Sequence, residues 1–170
     1  MAFGVSQILA VELGSGQLRV IHGDVSGNLL RVHDFAVEET LISNPENTVQ
    51  QLDSLLERKR LHSYPAALTL SGPGVAHRQL DFPLMPLDEL SLVVAREMRA
   101  VGGAGGDEVV FDWEVIEEND SGNLKLSRVL VAIAPRLQVD GAQQLLAKCH
   151  LKPALFTTVP LALLRSLRFV

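Results

Sequence analysis

Apolar residues in the first forty positions fall into three short runs separated by small and polar ones. Ile8-Leu9-Ala10-Val11 ends at Gly14-Ser15-Gly16, a turn signal, so the run reads as a short strand. Leu18-Arg19-Val20-Ile21-His22 alternates in the manner of a half-buried strand. Ser26-Gly27-Asn28 can supply positive φ for a hairpin turn, and Leu29 to Val37 reads as a third, antiparallel strand. The period then changes. After Ser43-Asn44-Pro45, Val49, Leu52, Leu55 and Leu56 recur at helical spacing, with Asn44 as cap and Pro45 in the first helical position. Ala66 to Leu70, bounded by Pro65 and Ser71-Gly72-Pro73-Gly74, is a short buried run predicted to lie parallel to the first strand.

Beyond that break the order predicts a second module. Ala76 to Phe82 is extended. Pro86-Leu87-Asp88-Glu89 opens a helix with acids in its first turn, and Leu90, Val93, Val94, Glu97 and Met98 continue it to Gly102-Gly103-Ala104-Gly105-Gly106. Strands over Glu108 to Glu117 and Leu124 to Ala134 follow, joined by the polar turn Asn119-Asp120-Ser121-Gly122-Asn123. This strand-helix-strand-strand order is a small α+β module. A helix from about Arg136 to Cys149 is predicted to cover it through Val139, Ala142, Leu145 and Leu146. Pro153 to Thr157 is predicted to return to the first sheet, and Pro160 to Leu167 begins another helix. A strand feeding a helix, with Arg168-Phe169-Val170 carrying no terminating chemistry, leaves two expectations: the first part of a longer protein, or a compact form that has lost its second half.

Composition narrows the function. Aromatic residues make up only 5% of the 170, so aliphatic side chains must fill the core. The formal charge of -5 argues against nucleic acid, whose binders cluster Lys and Arg. The densest basic run, Arg58-Lys59-Arg60, sits at a helix end, where it complements the helix dipole. A lone cysteine, Cys149, excludes an internal disulfide, suits a reducing compartment, and lies in a helical apolar pattern as a buried thiol. No stretch reaches the ~18 apolar residues that a membrane span needs, and the N-terminus lacks a basic region before an apolar segment. A cytoplasmic chain without membrane insertion is expected.

Several candidate sites fall away. His22, His33, His62, His77 and His150 show no metal-ligand spacing, and His22 and His33 fall on strands. The Gly102 to Gly106 run follows a helix rather than a strand, so it is a connector and not a dinucleotide fingerprint. Ser71 has no His or acid placed beside it for a nucleophile's work. Asp107, Glu108, Asp112, Glu114, Glu117, Glu118 and Asp120 read as a solvated sheet face, or as a surface receiving a basic partner segment.

Glu12-Leu13-Gly14-Ser15-Gly16 between two strands resembles the first phosphate loop of the actin, Hsp70 and sugar-kinase superfamily. Later segments resemble one branch of it. Arg78-Gln79-Leu80-Asp81-Phe82-Pro83, Asp88-Glu89-Leu90 and Arg96-Glu97-Met98 are similar to the inserted subdomain of PilM and of the cell-division protein FtsA. Phe111-Asp112-Trp113-Glu114-Val115, Val129 to Ile133, Ala147 to Pro153 and Pro160 to Arg165 resemble the following PilM elements in order.

The resemblance implies an α/β fold: an actin-like (ribonuclease H-like) subdomain over residues 1-74 plus 151-170, interrupted by an α+β insertion over 75-150. It implies a cytoplasmic scaffold or adaptor at the inner membrane in type IV pilus assembly, or in type II secretion. That adaptor captures the short N-terminal peptide of a PilN-like membrane protein in a groove between the two subdomains. The cytoplasmic domain of the related secretion protein GspL docks an assembly ATPase. Two alternatives are an ATP-binding switch awaiting a C-terminal half, and an FtsA-like structural domain of cell division. Site residues carried by the resemblance are Glu12, Gly14, Ser15, Gly16 and Gln17, a degenerate phosphate loop. The superfamily has Asp where this chain has Glu12, and the added methylene pushes the carboxylate toward the phosphates, which Mg²⁺ tolerates poorly. The acidic residue expected near Thr157-Thr158 is absent. ATP hydrolysis by this chain alone is therefore not expected, and ATP with Mg²⁺ is expected only where a second half completes the cage.

Overall fold

Gly14 stands opposite Gln17, so a two-residue loop closes the first hairpin between β1 (Ile8–Gly14) and β2 (Gln17–Ser26). The computed structural model describes residues 7–14, 16–26, 29–40, 45–101, 108–119 and 125–166. The proposed cap Asn44, the Gly102 to Gly106 run, the turn residues Gly27, Asn28 and 120–123, and Ser15 lie outside them. The chain divides into two compact units, Met1–Gly72 with Asp140–Val170, and Pro73–Val139.

In the first unit, β2 pairs antiparallel with β3 (Leu29–Glu39), and β4 (Ala66–Leu70) and β8 (Pro153–Thr158) lie parallel beside β1. The strand order is β3-β2-β1-β4-β8. Helices α1 (Pro45–Lys59) and α3 (Arg136–Lys148) lead toward β4 and β8. Leu9 and Val11 of β1, Leu18 and Val20 of β2, and Leu52, Leu55 and Leu56 of α1 form one buried cluster. Leu146 and, just past α3, Cys149 belong to the same cluster, with Ala142 and Leu145 packed against it. This corrects the expectation for α3: its apolar stripe covers the five-stranded sheet beside α1, not the inserted module. An amphipathic period shows which face of a helix is buried but not which sheet buries it. Each fully buried leucine here stabilises the unit by about 1.5–3 kcal/mol before entropy is counted.

The basic run at the end of α1 has specific partners. Lys59 Nζ donates to Asp34 Oδ2 at 2.8 Å, and Arg58 Nη2 donates to Glu38 Oε1, so the last turn of the helix is tied to β3.

The second unit holds β5 (Ala76–Pro83), β6 (Val109–Asn119) and β7 (Leu126–Pro135) in antiparallel order β5-β7-β6, with α2 (Leu87–Val101). Leu90, Val94 and Met98 of α2 meet Phe82, Val129, Val131 and Ile133 in its core. The acidic stretch on β6 is not only a solvated face: Glu117 and Asp81 both accept from the guanidinium of Arg128, which stands between them on β7.

Candidate functional site

Cross-strand partners share a face of the sheet, so the register places residues around the first hairpin directly. Leu9 and Val11 point into the helix-covered core, which leaves Ala10 and Glu12 on the opposite face. One row across that face runs Phe35, Ile21, Ala10, Ala67, Leu155, and the next runs Val37, Arg19, Glu12, Thr69, Thr157. Helix α4 (Val159–Ser166) lies beside β8 and β4, and its Ala162 closes one side of a cavity of about 290 Å³. Glu12, Arg19, Ile21, Ala67, Thr69 and Thr157 are among its other walls.

Glu12 is engaged within its own hairpin. Arg19 Nη1 donates to Glu12 Oε1 at 2.9 Å, and Arg19 Nη2 donates to Gln17 Oε1. Both members of the ion pair are about one-third exposed, so solvent screens it and its contribution is modest. Gly16 takes the left-handed region at φ 75°, where a side chain is strained, and its carbonyl accepts from Thr40 N at 2.8 Å. Gly14 lies beside Ser71, whose Oγ donates to the Leu13 carbonyl at 3.0 Å. Ser71 thus braces the end of β1. Thr69 Oγ1 donates to the Val11 carbonyl at 3.4 Å.

Of the five sequence-derived site residues, Glu12, Gly14, Gly16 and Gln17 meet at this hairpin, and Ser15 lies outside the described residues. The sequence reading missed Arg19. A two-residue loop pairing 14 with 17 also pairs 12 with 19, so the loop length alone could have revealed it. The superfamily that the hairpin resembles holds Mg-ATP at this place, and the residues present do not fit that group. The carboxylate that would face hydrated Mg²⁺ is held by a guanidinium from the same hairpin, and alanines and Ile21 line much of the adjoining cavity. Among the described residues, no group of three or more His, Cys, Asp or Glu is placed to hold a metal ion.

The same face is unusually apolar toward its edge. Leu30, Val32 and Val37 are about half exposed along β3, Phe35 is 68% exposed and Ile21 on β2 is 44% exposed.

The three antiparallel strands followed by two parallel ones, in the order 3-2-1-4-8, with an α+β module between β4 and β8, define an actin-like α/β protein. Within that class the chain is PilM-like. It is similar to a chain of the PilM–PilN type IV pilus biogenesis complex, at 25% identity and TM-score 0.78, over 94% of this chain and 49% of that one. It also shares the fold of the cytoplasmic domain of EpsL, an inner-membrane component of the Vibrio cholerae type II secretion system. That likeness has 13% identity and TM-score 0.55 and covers 89% of this chain and 57% of that one. A Bacteroides thetaiotaomicron protein with an actin-like ATPase fold superposes at TM-score 0.45 and 9% identity, over 96% of this chain and 56% of that one, too distant to add weight. The chain spans about half the length of the solved chains it matches. No protein-family profile matches the sequence, and no curated protein does.

Proposed function

We propose that this chain is an adaptor in the inner-membrane assembly complex of a type IV pilus, working on the cytoplasmic side and held there by a membrane partner. The observation that carries the reading is the likeness to a chain of the PilM–PilN complex along nearly the whole of this chain. The partner is a PilN-like membrane protein, engaged through its short N-terminal peptide. Apolar anchors with backbone pairing supply the affinity in such captures. No helix among the described residues is long and apolar enough to cross a membrane.

The adaptor works without ATP hydrolysis. The Glu12–Arg19 pair supports this, because an internal cation already satisfies the carboxylate that would orient the metal.

Titration of the whole chain with the N-terminal peptide of a PilN-like membrane protein tests the reading. Saturable binding, with Kd at or below a few hundred micromolar, is expected. A flat titration to about 1 mM would remove the adaptor role. In the same buffer Mg-ATP should leave the melting temperature unchanged, since only a bound ligand raises it by mass action.

A further inference from the structure

We propose that the chain bends at two glycines, Gly72 and Gly141, so that each compact unit turns as a body while keeping its own core.

The chain passes from one unit to the other twice, once between Gly72 and Pro73 and once between Val139 and Asp140. Each unit has a separate apolar core, and motion between two such bodies is the ordinary expectation. The two passages differ in build. The first is the exposed stretch Ser71 to Gly74, where Gly72 at φ 114° and Gly74 at φ 87° hold conformations that side chains disfavour. The second runs inside α3, which continues unbroken from Arg136 to Lys148. The first turn of this helix belongs to Pro73–Val139, and the rest belongs to the other unit. Ala142, Leu145 and Leu146 anchor that longer part in the core of the five-stranded sheet.

Packing does not account for Gly141. It is exposed, and a Cβ built on it meets nothing within 4 Å. Glycine inside a helix weakens it roughly fivefold relative to alanine, because its backbone has so many other conformations open to it. That freedom is what a bend in a helix requires. Just before Gly141 the two passages are locked to each other. Gln138 Nε2 donates to the Pro73 carbonyl at 2.7 Å, and the φ of Pro73 is fixed by its ring. A Cβ on Gly74 would lie 2.7 Å from Pro135 Cγ, so the chain is closely packed there too. Pro73, Gly74, Pro135 and Gln138 thus make one stiff corner of their unit. Gly72 adjoins that corner on one passage, and Gly141 follows it on the other. Bending is confined to these two.

The test is pulsed dipolar spectroscopy of the whole chain, with spin labels at Ser54→Cys on α1 and Ser91→Cys on α2, both exposed positions. Cys149 is buried and stays unlabelled. The distance distribution should be on the order of twofold broader than that of Ser54→Cys with Gln143→Cys, a pair within one unit. Gly141→Ala, for which the structure has room, should narrow it toward the width of that pair. Gln144→Gly puts a glycine in the same helix but wholly inside one unit, so it should lower the melting temperature and leave the width unchanged. This control separates a hinge from a helix that is merely loosened. A distribution between units as narrow as that within one overturns the proposal, and so does a width indifferent to Gly141→Ala.

Discussion

Leu61 and Leu151 hold the same position in two helix endings of the first unit. Leu61 N donates to the Leu56 carbonyl and Leu151 N to the Leu146 carbonyl, each at 2.9 Å. The residues just before them, Arg60 at φ 58° and His150 at φ 56°, turn the chain through the left-handed region. This is the Schellman ending, used once to aim β4 and once to aim β8, with a buried leucine anchoring each exit.

Neither Arg60 nor His150 is glycine, and both are exposed, so each carries backbone strain with little side-chain packing in return. Arg60→Gly and His150→Gly should each raise the unfolding free energy by about 0.5–1 kcal/mol, as measured by urea denaturation. The two effects should add, since the sites share no partner.

The assignment of α3 to the five-stranded sheet has its own test. Leu146→Ala should cost about 2–5 kcal/mol, as should Leu56→Ala in the same cluster. Hydrogen exchange would locate the loss: amides of β1 and β2 should lose protection in Leu146→Ala. Loss confined to β5, β6 and β7 would return α3 to the inserted module.

The pH dependence should centre on His22. Its ring is buried, its centroid lies 4.1 Å from that of Tyr64 and 5.2 Å from that of His33, and its Nε2 finds no partner. Burial, and secondarily the neighbouring His33, lower its pKa below the ordinary imidazole value, while Asp34 and Asp24 pull the other way. Asp24 is itself paired with His33, and Asp34 with Lys59 of α1. The native state therefore resists a proton that the unfolded chain accepts. Stability from this source is complete above the ordinary imidazole value of 6.5 and falls as pH drops through it. Asp34, lowered first by its hydrogen bond from Lys59, gives up its contribution in a separate window below the carboxylate range. Urea unfolding should be easier at about pH 5.5 than at 7.5, and His22→Phe should flatten that slope. An unchanged slope would place the titrating group elsewhere.

Cys149 should be inert while the unit is folded. Burial, and then the nearby charge of Asp53, push its thiol up to about 11. Its Sγ sits 3.7 Å from the Val49 carbonyl. Thiol reagents at about pH 8 should modify it at least a hundredfold more slowly than a free cysteine, and rapidly once urea unfolds the chain.

Much of the sheet was legible from the chain. The run Ile8 to Val11 and the run Ala66 to Leu70 are short and apolar between turn signals, and both emerge as adjacent parallel strands. The destination of α3 was not legible, because Leu145 and Leu146 suit either core. The open face was hidden for a different reason. Alternation on β2 suggests one buried and one wet side, yet Ile21 is apolar and exposed, and β3 carries apolar residues on both sides of its pleat. The Arg19–Glu12 pair lay within reach of simple counting across a two-residue loop. Of the candidate loop, Glu12 was found by likeness to a family, and its engagement by Arg19 only by geometry.

The ladder between β2 and β3 slips by one place: His22 faces Asp34 while Gly23 faces Val32, leaving His33 unmatched. A Cβ on Gly23 would lie 2.5 Å from the Arg31 carbonyl oxygen, so the slip depends on that glycine. The outer rim of the sheet is therefore two short straight pieces that do not share a common step. A foreign strand laid along it would fall out of phase at His33, so edge-to-edge pairing into ribbons is checked even though the rim is greasy. The bulge thus guards the border of a sheet whose exposed apolar side chains stand on its face.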